Sequence, residues 1–288
     1  MFQYDFMQNA FAAAGIVSVV AGLIGYFVVL RSQTFASHAL SHVGFAGATG
    51  AVLFGLPWLW GLIGLTVIAG IGMGALGERL EGRDIAIGLI LAMSLGLGLL
   101  FLHFYTAFAT QVTALLFGDV LGVDHTTLVT LAASGALAIA LLGAIARPLI
   151  FASLQPELAE ARGVSLRLVS ILFLAVVALA VAQSAQIVGV LLVFTLTVGP
   201  AAAAQRLTTR LGPGVALSVA FALAESWLGI ALAWYTNWPT TFWIATLSGA
   251  GYLLALLPLA RLRPRALLRP PAPALYKLSG CGTEGEHS

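Results

Sequence analysis

Charge is scarce in this chain of 288 residues. Asp, Glu, Lys and Arg together make up 8% of it, against about 25% in an ordinary soluble domain. A surface wetted on all sides is therefore excluded. With 60% hydrophobic residues and a mean hydropathy of +1.02, the chain reads as a polytopic membrane protein. Cysteine is almost absent, and the single Cys281 excludes an internal disulfide. Lysine is almost absent as well. A phosphate-binding loop of the form G-x-x-x-x-G-K-[ST] needs a lysine behind glycine. Lys277, the one lysine, stands in Leu275-Tyr276-Lys277-Leu278. The chain thus carries no Walker A, and any ATP-driven step requires another subunit. The hydrolase patterns G-x-S-x-G and H-E-x-x-H are missing too. No Lys or Arg precedes the first apolar run, so no cleavable signal peptide is expected over Met1–Asn9.

Long apolar runs are what the chain has instead. They fall at about 10–30, 33–54, 58–77, 84–103, 126–146, 167–183, 186–204, 213–235 and 240–260. Each is long enough to cross a hydrocarbon core of about 30 Å as a helix. Their length and lack of alternation argue against strands, and only helices or closed barrels satisfy their backbone in lipid. The expected fold is all-α, with about nine transmembrane helices. Thirty-two glycines suit close helix–helix approach. No internal repeat is visible.

The basic residues set the orientation. With the N-terminus outside, Arg31, Arg79, Arg83, Arg147, Arg162, Arg167, Arg206, Arg210 and the five basic residues from Arg261 to Lys277 all fall on the cytoplasmic side, as the positive-inside rule requires. The net charge of +2 and pI near 8.9 are therefore topology signals and give no footprint for nucleic acid. Trp58, Trp60, Trp234 and Trp238 mark the outer membrane boundary. The segment Ala114–Leu121 is apolar but too short to span, and is expected to be re-entrant or interfacial. Residues 1–260 are expected to form the membrane domain. The Pro-rich stretch 261–288 is expected to be a disordered cytoplasmic tail. Within the longest cytoplasmic loop, 147–166, the stretch Gln155–Val164 has Pro156 at a helix start, Glu157 and Glu160 behind it and Gly163 at its end. That pattern predicts a short capped helix, suited either to docking a cytoplasmic partner or to an ordinary surface turn.

Two imidazoles carry the strongest chemical signal. His38 and His42 are four residues apart and share one helical face. Imidazole nitrogen suits borderline-soft divalent metals, and polar groups within a span usually mark a pathway or a site. Two ligands are few for tight zinc binding, which fits an ion in transit. Ser37 and Ser41 are expected to bond to helix carbonyls. Glu225 is the carboxylate nearest the centre of a span; it either lines the conduit, carries a proton or ligates the ion, or is a protonated acid bonded between helices. Asp119 and Asn237 are entrance candidates. His103, His125, Met73, Met93, Cys281 and His287 read better as interfacial, packing or tail residues. Gly199-Pro200 is expected to break its span near the inner end.

Several stretches resemble one family. They are Phe35–Gly47, Leu116–Leu121, Pro156–Val164, Val198–Ala202 and Gly229–Pro239, in that order. Together, over about residues 10–260, they are similar to membrane permease subunits of ABC-type zinc/manganese/iron importers, the metal-ion ABC-3 family. The resemblance implies a permease dimer (homo- or heteromeric) in the inner membrane. It also implies separate ATPase subunits, an extracytoplasmic metal-binding protein and a transported ion with no permanently bound cofactor. It makes Pro156, Glu157, Ala159, Glu160 and Gly163 similar to the helix that seats on the ATPase. The family commonly has Asp where this chain has His38, and often an acid where it has Asn237. Imidazole in place of carboxylate favours zinc over manganese. The expected function is ATP-driven import of zinc, manganese or iron, zinc first. The rivals are a proton-coupled carrier using Glu225 without an ATPase, and an intramembrane metalloenzyme.

Overall fold

A computed structural model of the chain describes residues 3–77, 82–104 and 115–257. Arg79, Ala114 and the expected tail 261–288, with Lys277, Cys281 and His287, lie outside the described residues. Those described form helices and no strand: α1 (Asp5–Leu30), α2 (Thr34–Leu53), α3 (Trp58–Ala75), α4 (Arg83–His103), α5 (His125–Leu154), α6 (Pro156–Ala161), α7 (Leu166–Val188), α8 (Val190–Leu207), α9 (Leu211–Thr236) and α10 (Thr240–Leu256). Nine of them coincide in order with the nine apolar segments, and α6 is the short loop helix. Seven are long and apolar enough by themselves to cross a membrane. The other two are α2 and α10. Every residue of α2 from Ala39 to Ala51 is buried by neighbouring helices. A helix clothed in protein does not need the apolarity of one facing lipid.

The core of the bundle is α1, α2, α7 and α8. Helices α3 and α4 pack on α2, α9 and α10 close the opposite flank beside α1 and α8, and α5 lies against α1 and α7. Short connections turn successive helices back on themselves, so the bundle has two chemically distinct ends. One, here the basic end, gathers Arg31, Arg83, Arg162, Arg167, Arg206 and Arg210. The aromatic end carries Trp58, Trp60, Trp234 and Trp238. At the basic end Arg31 donates to Ser153 Oγ at 3.1 Å and lies 5.6 Å over the Phe173 ring, tying α1 to α5 and α7. Glycine permits the tightest crossings. A Cβ on Gly25 would land on the Thr197 carbonyl of α8, and one on Gly47 would land on that of Gly61 in α3. These backbone-to-backbone contacts supply the dispersion energy that holds helices together where lipid removes the hydrophobic drive.

Three boundaries differ from the expectation. Helix α5 does not stop near residue 146 but runs through Arg147 and Pro148 to Leu154. Proline lacks an N–H and disfavours helix before it, yet Leu149 and Ala152 beyond it are buried in the core, and that packing keeps the helix going. For the same reason Gly199-Pro200 does not break its span. Pro200 is buried inside α8, and Gly199 gives way to Ser248 of α10. The α7–α8 boundary lies at Gly189 rather than near 184. The polar pair Gln183-Ser184 resembles a helix end, but both residues are buried, and the Gln183 amide donates to Leu131 O of α5 at 2.9 Å.

The turn before α5 is capped. Asp124 accepts from the Thr127 backbone N–H at 2.9 Å. Hydrogen bonds from the Thr127 side chain and backbone hold its carboxyl below the usual range. Such a carboxylate also suits the positive end of the helix dipole.

Candidate functional site

His38 and His42 lie one turn apart in the part of α2 nearer the basic end, roughly 6 and 12 Å along the axis from Thr34 at 1.5 Å per residue. His42 is buried and His38 half-buried. Their ring centroids are 4.8 Å apart with the planes at 90°. A metal held tetrahedrally by two imidazole nitrogens at about 2.0–2.1 Å sets ring centroids about 5 Å apart, so the spacing already suits a shared ion. Helix α8 packs across this face, and Phe194 stands edge-on to His38 with centroids 5.0 Å apart. The Nδ1 atoms of both histidines are buried without a hydrogen-bond partner. Leaving a buried polar atom unpaired costs about 1–3 kcal/mol, and such atoms ask for an explanation by function.

The two serines part company. Ser41 donates to the His38 carbonyl at 2.7 Å, as expected. Ser37 does not bond to a carbonyl, and its buried hydroxyl has no partner. Helix α2 thus holds a third buried polar atom without a partner.

Glu225 is buried in α9 and turns toward α10. Its carboxyl meets the Ser248 hydroxyl, and Gly251 leaves room for it: a Cβ there would be 3.6 Å from Glu225 Oε1. Ser248 in turn reaches the Thr195 carbonyl of α8 at 3.3 Å. Helices α2 and α9 do not pack extensively on each other, and among the described residues no three His, Cys, Asp or Glu side chains come together. The histidines are thus a two-ligand arrangement, and Glu225 belongs to a separate seam of α8, α9 and α10.

At the aromatic end, Asp119 and Asn237 open into different hollows. Asp119 lines a cavity of about 440 Å³ with Thr49, Thr126, Thr127, Thr130 and Gln186. Asn237 caps α9 in the left-handed conformation (φ 57°) and lines an aromatic hollow with Phe6, Trp234 and Trp238. Thr49 and His42 are seven residues apart, so they lie on nearly the same face of α2, about 10 Å apart along the axis. The small Ala46 lies between them.

At the basic end α6 has the expected form. Pro156 occupies its first turn with Glu157, and Gly163 (φ 81°) ends it, with Val164 N donating to Ala159 O at 2.9 Å. Ala159 is buried as the helix's anchor, whereas Pro156, Glu157, Glu160 and Gly163 are exposed.

The model of the ABC 3 transport family matches residues 3–258. The chain belongs to the ABC 3 transport family. As a member it is a multi-pass, all-helical membrane permease of an ABC transporter and not itself the ATP-hydrolysing subunit. Among its relatives, the "Probable iron transport system membrane protein" of Haemophilus influenzae is 29% identical over 257 residues, 88% of this chain and 94% of that one. The "Manganese transport system membrane protein MntC" of Listeria innocua is 26% identical over 238 residues, 82% of this chain and 85% of that one. Among solved structures, PsaBC from Streptococcus pneumoniae in complex with Fab superposes with a TM-score of 0.80 at 26% identity, covering 90% of this chain and 94% of that chain. The family match spans both α2 and α6.

Proposed function

We propose that this permease is the membrane subunit of an ATP-driven importer of divalent transition-metal ions, with zinc as its first cargo and manganese and iron as the others. The observation that carries the reading is the adjacent pair of imidazoles on α2, each with a buried, unpartnered Nδ1. The printed names of the iron and manganese transport relatives agree with metal as the cargo class. In this reading the N-terminus and the aromatic end face outward, and an extracytoplasmic metal-binding protein delivers the ion there. The ion passes His42 and then His38. Glu225 is a weaker third element, since it opens on α10 instead of α2. A second permease copy or a paralogue completes the conduit within the inner membrane. The basic end faces the cytoplasm, where Pro156, Glu157, Glu160 and Gly163 present the docking surface for the ATPase and Ala159 anchors it.

Cargo choice follows from the ligand atoms. Two imidazoles favour zinc, whereas replacing one by carboxylate favours manganese. His38→Asp should therefore shift competitive uptake from zinc toward manganese. The measurement is dual-metal competition in whole cells. An unchanged zinc-to-manganese ratio would remove zinc as first cargo.

The docking surface has its own test. Glu160→Lys reverses one charge on exposed α6 without touching the buried Ala159 anchor. We expect uptake to fall by at least about tenfold while ATP hydrolysis by the assembled transporter continues, because like-charge juxtaposition at a contact costs several kcal/mol. Unaltered uptake per ATP would place the ATPase contact elsewhere.

A further inference from the structure

Glu225 leaves a proton to be placed. It is the only acidic or basic residue of α9, and it is 8% exposed. The helices packed on α9 are α1, α8 and α10. Their charged residues are Asp5 at the start of α1 and Arg206 in the last turn of α8, and α10 has none. Arg206 lies about 16 Å beyond Thr195 along the axis of α8. An ionised carboxylate at Glu225 would thus have no counter-charge, and a buried unpaired charge is among the costliest groups a bundle can hold.

The Ser248 hydroxyl decides where the proton lies. Serine has one proton to give, and a carbonyl can only accept. Ser248 gives its proton to the Thr195 carbonyl of α8 at 3.3 Å. Its bond with Glu225 therefore runs the other way, with the acid as donor. Glu225 Oε2 is buried without a partner, so the donating oxygen is Oε1 and Oε2 is an uncharged carbonyl oxygen. The chain runs from Glu225 Oε1–H to Ser248 Oγ, and from Ser248 Oγ–H to Thr195 O. Ser248 is also seated against α8, since its Oγ fills the place a Cβ on Gly199 would take.

The far end of this chain reaches the histidines. Phe194 adjoins Thr195 in α8 and stands edge-on to His38, with ring centroids 5.0 Å apart. We propose that Glu225 is a positioning residue: as a neutral acid it ties α9 and α10 to α8 through Ser248, and so fixes Phe194 against the histidine pair. It acts on the ion's path without touching the ion. The inference rests on the reading of His38 and His42 as that path.

The test is zinc uptake in cells, as an initial rate per permease in the membrane fraction. Glu225→Gln keeps the size and a donor but has no acidic proton and no charge, so it should stay within about twofold of wild type. Glu225→Leu and Ser248→Ala each break the chain and should lower uptake about three- to tenfold, the worth of one neutral hydrogen bond. Because the effect passes through Phe194, Ser248→Ala should add no further loss in a Phe194→Ala protein. Glu225→Gln as poor as Glu225→Leu would show that a charge, a mobile proton or a ligating oxygen is required, and would overturn the proposal. Full uptake by Ser248→Ala would overturn it as well, and that smaller change carries the test if Glu225→Leu fails to reach the membrane. Additive losses in the double variant would overturn the route through Phe194. Infrared spectra of the assembled transporter in nanodiscs at neutral pH should show a carboxylic-acid C=O band that Glu225→Gln lacks, and its absence from wild type would overturn the neutral acid. Normal metal uptake by His42→Ala with that band still present would remove the histidine path and leave the hydrogen-bond chain standing.

Discussion

Cells carrying His42→Ala are expected to place a normal amount of permease in the membrane and to import little or no zinc, manganese or iron. The ring lies on a face closed by α8, beside His38 at a spacing a shared ion would use. Its removal takes away one of two nitrogens and leaves His38 alone. Losing even an outer partner of a metal ligand typically costs 10–100-fold, so losing the ligand itself should cost at least about a hundredfold in uptake. Folding should survive, because Nδ1 of His42 makes no hydrogen bond whose loss would strand another group. Alanine is also a good helix former and fits a helix of small residues. The measurement is initial-rate uptake normalised to permease in the membrane fraction. Normal uptake of all three metals would remove the histidines from the ion path.

Gly189→Ala is expected to do the reverse and remove the folded permease itself. Gly189 alone joins α7 to α8, at φ 80° and ψ 154°. That region is essentially reserved for glycine, and a side chain there costs about 1–3 kcal/mol. Space compounds the strain. A Cβ at Gly189 would strike the backbone of Leu116, Phe117 and Gly118, and one at Gly118 (φ 81°) would strike Ile187 to Gly189 in return. Backbone cannot rotate aside as a side chain does. Together the two terms amount to roughly 4 kcal/mol or more, the range of severe single substitutions. Thermal unfolding of the detergent-solubilised protein should show the loss, with Gly64→Ala as a control, since a Cβ at Gly64 meets nothing within 4 Å. A Gly189→Ala protein as stable as that control would show that the joint relaxes freely.

The Gly118–Gly189 contact also marks where reading residues in order runs out. Seventy positions separate the two glycines, and nothing about either alone announces the other. The same holds for Pro148 and Pro200. Local rules end a helix near proline, but Leu149 and Ala152 beyond the first, and Ala201, Ala203 and Ala204 beyond the second, are buried against other helices. Gln183 imitates a helix end until α5 supplies the Leu131 carbonyl. In each case a long-range contact outweighed a local preference of about 1–3 kcal/mol.

The histidine pair was legible because a four-residue spacing on a helix is a local fact. Its burial, its unpaired nitrogens and Phe194 across it were not. The short helix α6 was legible for the same reason, through Pro156 and Gly163, yet only packing turned Ala159 inward. Glu225 stood out as a lone acid in an apolar run. That it faces Ser248 and Gly251, away from α2, depended on how α9 meets α10.

Composition and order by themselves determined that the chain is helical and membrane-embedded. They also determined that the basic residues of the described helices collect at one end and that the chain carries no Walker A of its own. Those properties follow from local transfer energies, from charge placement and from a missing motif, none of which needs a partner segment. Only the tertiary arrangement decided which polar atoms are left unpaired, which end holds the cavity beside Asp119 and which helix Glu225 faces. Such features are relations between helices distant in sequence, and they exist only once small residues have let the backbones meet.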